Sequence, residues 1–146
     1  MKKGAMPRKR PSALRQARAH RAAWRTVPHV PGLPPLAQQE VSQIELRSAR
    51  DWARYGLWPG AVAEALTAWS VTARNPVQRQ FHPCACCGRA SRVILQEALG
   101  QLSSPSATAL AALIEPLDER YKTRTLPNPL TPSHQPWWER RIRPGQ

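Results

Sequence analysis

Apolar side chains return every third or fourth position through the middle of the chain, with polar or charged residues between them. That period gathers the apolar set on one face of a helix, and such a face needs something to pack against. Val41, Ile44, Ser48, Trp52 and Tyr55 set a first helix over about 36–55, which Gly56 is placed to end. Val62, Ala65, Leu66, Trp69 and Ala73 share a face of a second helix over 61–74, stopped by Asn75-Pro76. Ile94, Leu95, Ala98, Leu99 and Leu102 predict a third over 91–102, capped by Ser91. A fourth opens at Ser104-Pro105, read as N-cap and first helical position, and buries Leu110, Leu113, Ile114 and Leu117. Pro116 falls inside that pattern and is expected to kink or divide it, leaving a last turn over 118–122 that presents Tyr121. Asp118, Glu119, Arg120 and Arg124 then read as a charged helix end before a proline stop.

The pattern fails at both ends. Over residues 1–35 it is broken by Pro7, Pro11, Pro28, Pro31, Pro34 and Pro35. The helical spacing of Leu14, Ala17, Arg18, Arg21 and Trp24 has almost nothing to bury, so this segment is expected to be disordered when free and ordered on a surface. At the other end Pro127, Pro129, Pro132, Pro136 and Pro144 predict an extended, largely polyproline-like arm, laid over the helices by Trp137 and Trp138. A chain of 146 residues holds one modest domain. The expected fold is mainly α: a small helical bundle over 36–126 with a short Cys-rich knuckle at 82–89, a disordered basic segment at 1–35 and a Pro-rich extended C-terminal arm at 127–146.

Charge adds a partner class. Lys and Arg number 22 against 9 acidic residues, for a net charge of +13. Nine of the basic residues, Lys2, Lys3, Arg8, Lys9, Arg10, Arg15, Arg18, Arg21 and Arg25, lie in the first 35 positions with no acid among them. Such a segment neutralises phosphates without reading sequence, and Trp24 beside it can stack on an exposed base. Nucleic acid or a ribonucleoprotein is the expected partner. No apolar run approaches the roughly 18–20 residues of a membrane span, and no apolar h-region follows the basic start. The Arg-rich, Ala-rich start also has the composition of an organelle transit peptide. Three cysteines cannot form a paired framework, so a reducing, cytoplasmic setting is expected. The motifs of phosphate-cradling loops, nucleophile elbows and zinc proteases do not occur, and an enzyme is not expected.

All three cysteines sit beside a histidine in "HPCACCGR". Cys84 and Cys87 form a C-x-x-C-G unit: two thiolates reach one Zn²⁺, and the glycine lets backbone amides turn toward the sulfurs. A structural zinc site takes four ligands. His82 with either Cys86 or a distant histidine would complete it, and His134 on the arm is preferred over His29 and His20. A homodimer sharing one ion through Cys84 and Cys87 of each chain is a second route. Inert buried thiols and a redox-sensing dithiol are the competing readings. Pro83, Cys84 and Cys87 are also similar to the P-C-x-x-C half of the zinc nucleobase deaminases, with Glu64 upstream in the place of their proton shuttle. Val62 stands where that family has a metal ligand, which removes water activation and leaves Glu64 a solvated helix charge.

The stretches "HPCACCGR", "PLDERYKTRTLPNP" and "PWWERR" together resemble a group of small basic proteins from high-GC actinobacteria, over about residues 80–143. The resemblance implies a bacterial cytoplasmic origin and one unit holding both the cysteines and the Trp arm. It carries no activity. The expected function is a non-enzymatic, zinc-stabilised module associating with nucleic acid or ribonucleoprotein. The alternative is a regulatory adaptor whose protein partner fits an apolar groove around Trp52, Trp58 and Trp69.

Overall fold

The computed structural model describes residues 27–49, 57–76 and 91–143. Among the described residues four helices carry the fold: α1 (Pro35–Ala49), α2 (Ala61–Arg74), α3 (Ser91–Gln101) and α4 (Ser104–Thr123). A short antiparallel pair follows, β1 (Leu126–Pro127) with β2 (Arg141–Ile142), in the register Leu126 to Ile142 and Pro127 to Arg141. The protein is mainly helical, as the periodicity predicts.

The apolar stripes meet in one core. Val41 and Ile44 of α1, Val62, Ala65, Trp69 and Ala73 of α2, Ile94, Leu95 and Ala98 of α3, and Leu110, Ile114 and Tyr121 of α4 are buried together. Helix α2 lies against both α3 and α4, and α1 packs chiefly on α4. Each fully buried Leu, Ile or Val in this centre stabilises by about 1.5–3 kcal/mol relative to exposure.

The helix ends are closed by side chains from other elements. Gly60 precedes α2 with φ +88°, and a Cβ there would stand 3.1 Å from Pro28 Cδ, so the position needs glycine. The backbone N–H groups of Gly60 and Val62 both donate to the buried carboxylate of Glu45 on α1. One turn earlier on α1, Glu40 accepts from the Ser103 amide, the Ser103 hydroxyl at 2.8 Å and the Ser106 hydroxyl at 2.5 Å, which closes the start of α4. At the C-terminal ends Arg124 donates to the Arg74 carbonyl of α2. Arg141 donates through Nη2 to the carbonyls of Lys122 and Thr125, each at 2.8 Å, and through Nε to the Thr125 hydroxyl at 2.6 Å. Amides that a helix leaves unpaired at its start, and carbonyls at its end, are thus satisfied across the fold.

Several expectations need correction. Helix α4 takes Ser103 as its N-cap, one residue before Ser104, with Pro105 within the first turn. Pro116 does not divide that helix, which runs unbroken from Ser104 to Thr123. Pro116 and Ala112, whose carbonyl loses its donor, both lie on the exposed face, where water replaces the missing bond. Tyr121 is not presented to solvent but buried within the same helix. The basic segment does not extend to residue 35: Val30 is in the core and its amide donates to Gln38 Oε1 at 2.8 Å. The Pro-rich arm is not one polyproline run. Its amides at Thr131, Gln135, Glu139 and Arg140 close successive turns that return the chain to β2. Trp52, Tyr55 and the Gly56 stop lie outside the described residues, as does the knuckle at 82–89.

Candidate functional site

The arm is fastened through one carboxylate. Asp118 of α4 receives Arg92 Nε on Oδ1 and Arg92 Nη2 on Oδ2, both at 3.0 Å, and Trp69 Nε1 on Oδ1 at 2.9 Å. The Arg92 and Asp118 side chains are only 7% and 13% exposed. This two-pronged pairing is the geometry in which a guanidinium and a carboxylate compensate each other's loss of water. The arm lies on it: the Trp138 ring centroid is 4.5 Å from Arg92 Cζ. From there the rings form a row, Trp138 to Trp137 at 5.8 Å, Trp137 to Tyr121 at 6.2 Å and Tyr121 to Trp69 at 4.8 Å. Trp137 and Trp138 therefore lay the arm over the helices, as their placement among prolines predicts.

Between the turns of the arm and the strand pair is an open cleft of about 440 Å³, walled by Pro127, Pro129, Thr131, Trp137, Arg140 and Arg141. Its floor is fixed by the Asn128 amide, which donates to the Arg140 carbonyl at 2.8 Å, and by Asn128 Oδ1, which accepts from the Leu130 amide at 3.0 Å. Arg141 is committed to the end of α4. Arg140 is not: its Nε is buried without a hydrogen-bond partner, and it makes no ion pair among the described residues. Lys122 adds charge nearby, with Nζ 4.8 Å from the Trp137 ring centroid. The cleft thus joins a flat aromatic wall to an uncompensated guanidinium, a combination that suits an anion bearing a planar group.

Of the candidate ligands expected from sequence, His134 on the arm and His29 fall among the described residues, and both are exposed. His82, Cys84, Cys86 and Cys87 lie outside them, as do His20 and the basic residues from Lys2 to Arg25 with Trp24. Among the described residues no three His, Cys, Asp or Glu side chains converge as a metal-holding group. Of the residues expected to line the tryptophan groove, Trp69 is 3% exposed and belongs to the core, Trp52 lies outside the described residues, and Trp58 is exposed, donating to Glu64 Oε2 at 3.0 Å. Val62 is fully buried.

Sequence reasoning missed Arg92, Asp118, Glu40 and Glu45. A signal existed for Asp118: it lies four residues after Ile114 and three before Tyr121, both buried, so the α4 stripe runs through it. The two glutamates differ in their proton affinity. Burial pushes the Glu45 carboxyl above the ordinary glutamate range, against the pull of the Gly60 and Val62 amides. Hydrogen bonds from the Ser106 hydroxyl first, then from Ser103, hold Glu40 below it.

No known protein family, curated protein or solved structure matches the chain. Among the described residues no helix is long and apolar enough to cross a membrane.

Proposed function

We propose that this is a non-enzymatic basic module, held in part by zinc, that associates with nucleic acid or ribonucleoprotein in the cytoplasm. The distribution of charge carries the reading. Nine basic residues and no acid occupy positions 1–25, and a second basic group, Arg120, Lys122, Arg124, Arg140, Arg141 and Arg143, gathers toward the other end of the chain. Asp118, Glu119 and Glu139 lie near that second group, but Asp118 is taken by Arg92, and Glu119 is bonded to Lys122 at 2.9 Å. A partner with regularly spaced negative charge satisfies both groups. The test compares the full chain with one lacking residues 1–26, a boundary that keeps Val30 and Pro28 in place. Nucleic-acid affinity of the full chain should fall by about a thousandfold or more between 50 and 200 mM salt, as for roughly six or more phosphate contacts. The shortened chain should lose most of that affinity. Equal retention by both would take the N-terminal basic segment out of the interface, whereas an affinity indifferent to salt would favour a protein partner instead.

In this reading Cys84 and Cys87 anchor the zinc, with His82 and either Cys86 or His134 completing it. Chain reach supports His134. Arg92, which follows Cys87 by five residues, lies under Trp138, which follows His134 by four. At roughly 3.3–3.6 Å per extended residue, the five-residue step from Cys87 to Arg92 is short enough to keep the cysteines near the side of the bundle that the arm covers. Metal analysis of tag-free protein should find one zinc per chain, lost in a Cys84→Ser, Cys87→Ser variant. Half an equivalent would indicate a shared homodimer site, and metal-free folded protein would end the zinc reading.

A further inference from the structure

We infer that the cleft beneath the C-terminal turns takes one nucleotide of a single-stranded nucleic acid, its phosphate on Arg140 and its base against Trp137 and the neighbouring prolines. The inference rests on the nucleic-acid reading above and gives it a place in the folded part of the molecule. Arg140 lines the cleft and makes no ion pair among the described residues, so a phosphate bound there meets an uncompensated guanidinium. The guanidinium fork matches two phosphate oxygens at once. Beside it Arg141 contributes a second fixed charge, because three hydrogen bonds hold its head in place. Trp137 is braced edge-on by Trp138 and Tyr121, so little freedom is lost when a base settles on it.

Size and shape narrow the occupant. About 440 Å³ lies within the roughly 300–1,000 Å³ range of small-molecule sites and accommodates one nucleotide, whereas a base pair within a duplex keeps its faces stacked and away from such a wall. An acidic peptide would satisfy Arg140 but leave the surface of Trp137, Pro127 and Pro129 uncovered.

The experiment titrates the full-length protein with an eight-residue oligothymidylate and with a duplex of equal length. Arg140→Gln should weaken single-strand binding about tenfold and make its salt dependence shallower by about 0.7 in log–log slope, the value of one single-strand phosphate. Thr131→Trp, which fills the cleft and leaves Arg140 intact, should weaken it similarly, and neither variant should alter duplex binding. The indole N–H of Trp137 and the Nε–H of Arg140 should shift in ¹⁵N spectra of the unaltered protein, which reads occupancy even if a variant melts early. Normal single-strand binding by both variants, or unmoved resonances, would overturn the cleft assignment and leave the general reading standing. An unaltered protein that binds neither strand form would overturn both. Displacement of the oligonucleotide by polyglutamate with the same resonances shifted would assign the cleft to acidic peptides instead.

Discussion

Removing Asp118 would strand a guanidinium and an indole N–H inside the molecule, because Arg92 and Trp69 both rely on it. Asp118→Ala should therefore cost about 3–5 kcal/mol in urea unfolding. Glu119→Ala, which breaks the exposed pair with Lys122, should cost less than about 1 kcal/mol. Equal effects would mean that the Asp118 pair is solvated. The two capping glutamates supply a second contrast. Glu45 has its carboxyl raised by burial, so the folded chain holds that proton to higher pH than the unfolded chain. Its contribution is full below the ordinary glutamate value and is lost as pH rises through the raised one. Glu40, held low by Ser106 and Ser103, behaves oppositely: its contribution is present above the ordinary value and is lost as pH falls through the lowered one. Glu45→Gln removes the first slope. The melting temperature of that variant minus that of the unaltered protein should climb as pH rises above the ordinary glutamate value, and parallel profiles would refute the raised carboxyl.

At the scale of elements, Pro116 leaves α4 with a missing internal bond on its wet face. Proline is about 3 kcal/mol less favourable than alanine in a helix interior, while its stiffening of the unfolded chain returns up to about 1 kcal/mol. Pro116→Ala should raise stability by about 2 kcal/mol, read as a higher melting temperature. A fall would show that the turn depends on the break. Helix α2 was legible from sequence to both its ends, because Val62, Ala65, Trp69 and Ala73 mark an apolar stripe and Asn75-Pro76 stops it. The face of α1 was legible in Val41 and Ile44 but not in Glu45, since a carboxylate in such a stripe reads as surface. Its buried partner amides belong to the start of another helix, which periodicity along α1 cannot reveal. Asp118 lies on the α4 stripe between Ile114 and Tyr121, but beside Glu119 and Arg120 it reads as part of a charged helix end, and its partners Arg92 and Trp69 belong to other helices. Trp137 and Trp138 could be read as fasteners from their apolar area alone, whereas the Arg140 cleft depends on how the arm's turns close and leaves no trace in spacing.

For the whole molecule, the C-terminal arm carries a share of the architecture. Ending the chain after Thr125 removes Trp137 and Trp138 from the core margin, the whole β1–β2 pair, and Arg141 from the end of α4. That truncation should lower the melting temperature well below that of the full chain, while loss of residues 1–26 should leave it unchanged. A comparable fall in both would place part of the first segment in the packed structure. The cross-linked helix ends have one more consequence. Isolated helices begin to come apart at their termini, where amides and carbonyls face water and exchange their protons first. In this fold Gly60, Val62 and Ser103 donate to glutamates of α1, and the final carbonyls of α2 and α4 accept from arginines elsewhere. Opening any of these ends means separating two elements rather than fraying one. Proton exchange at those three amides is thereby tied to the breathing of the bundle as one cooperative body.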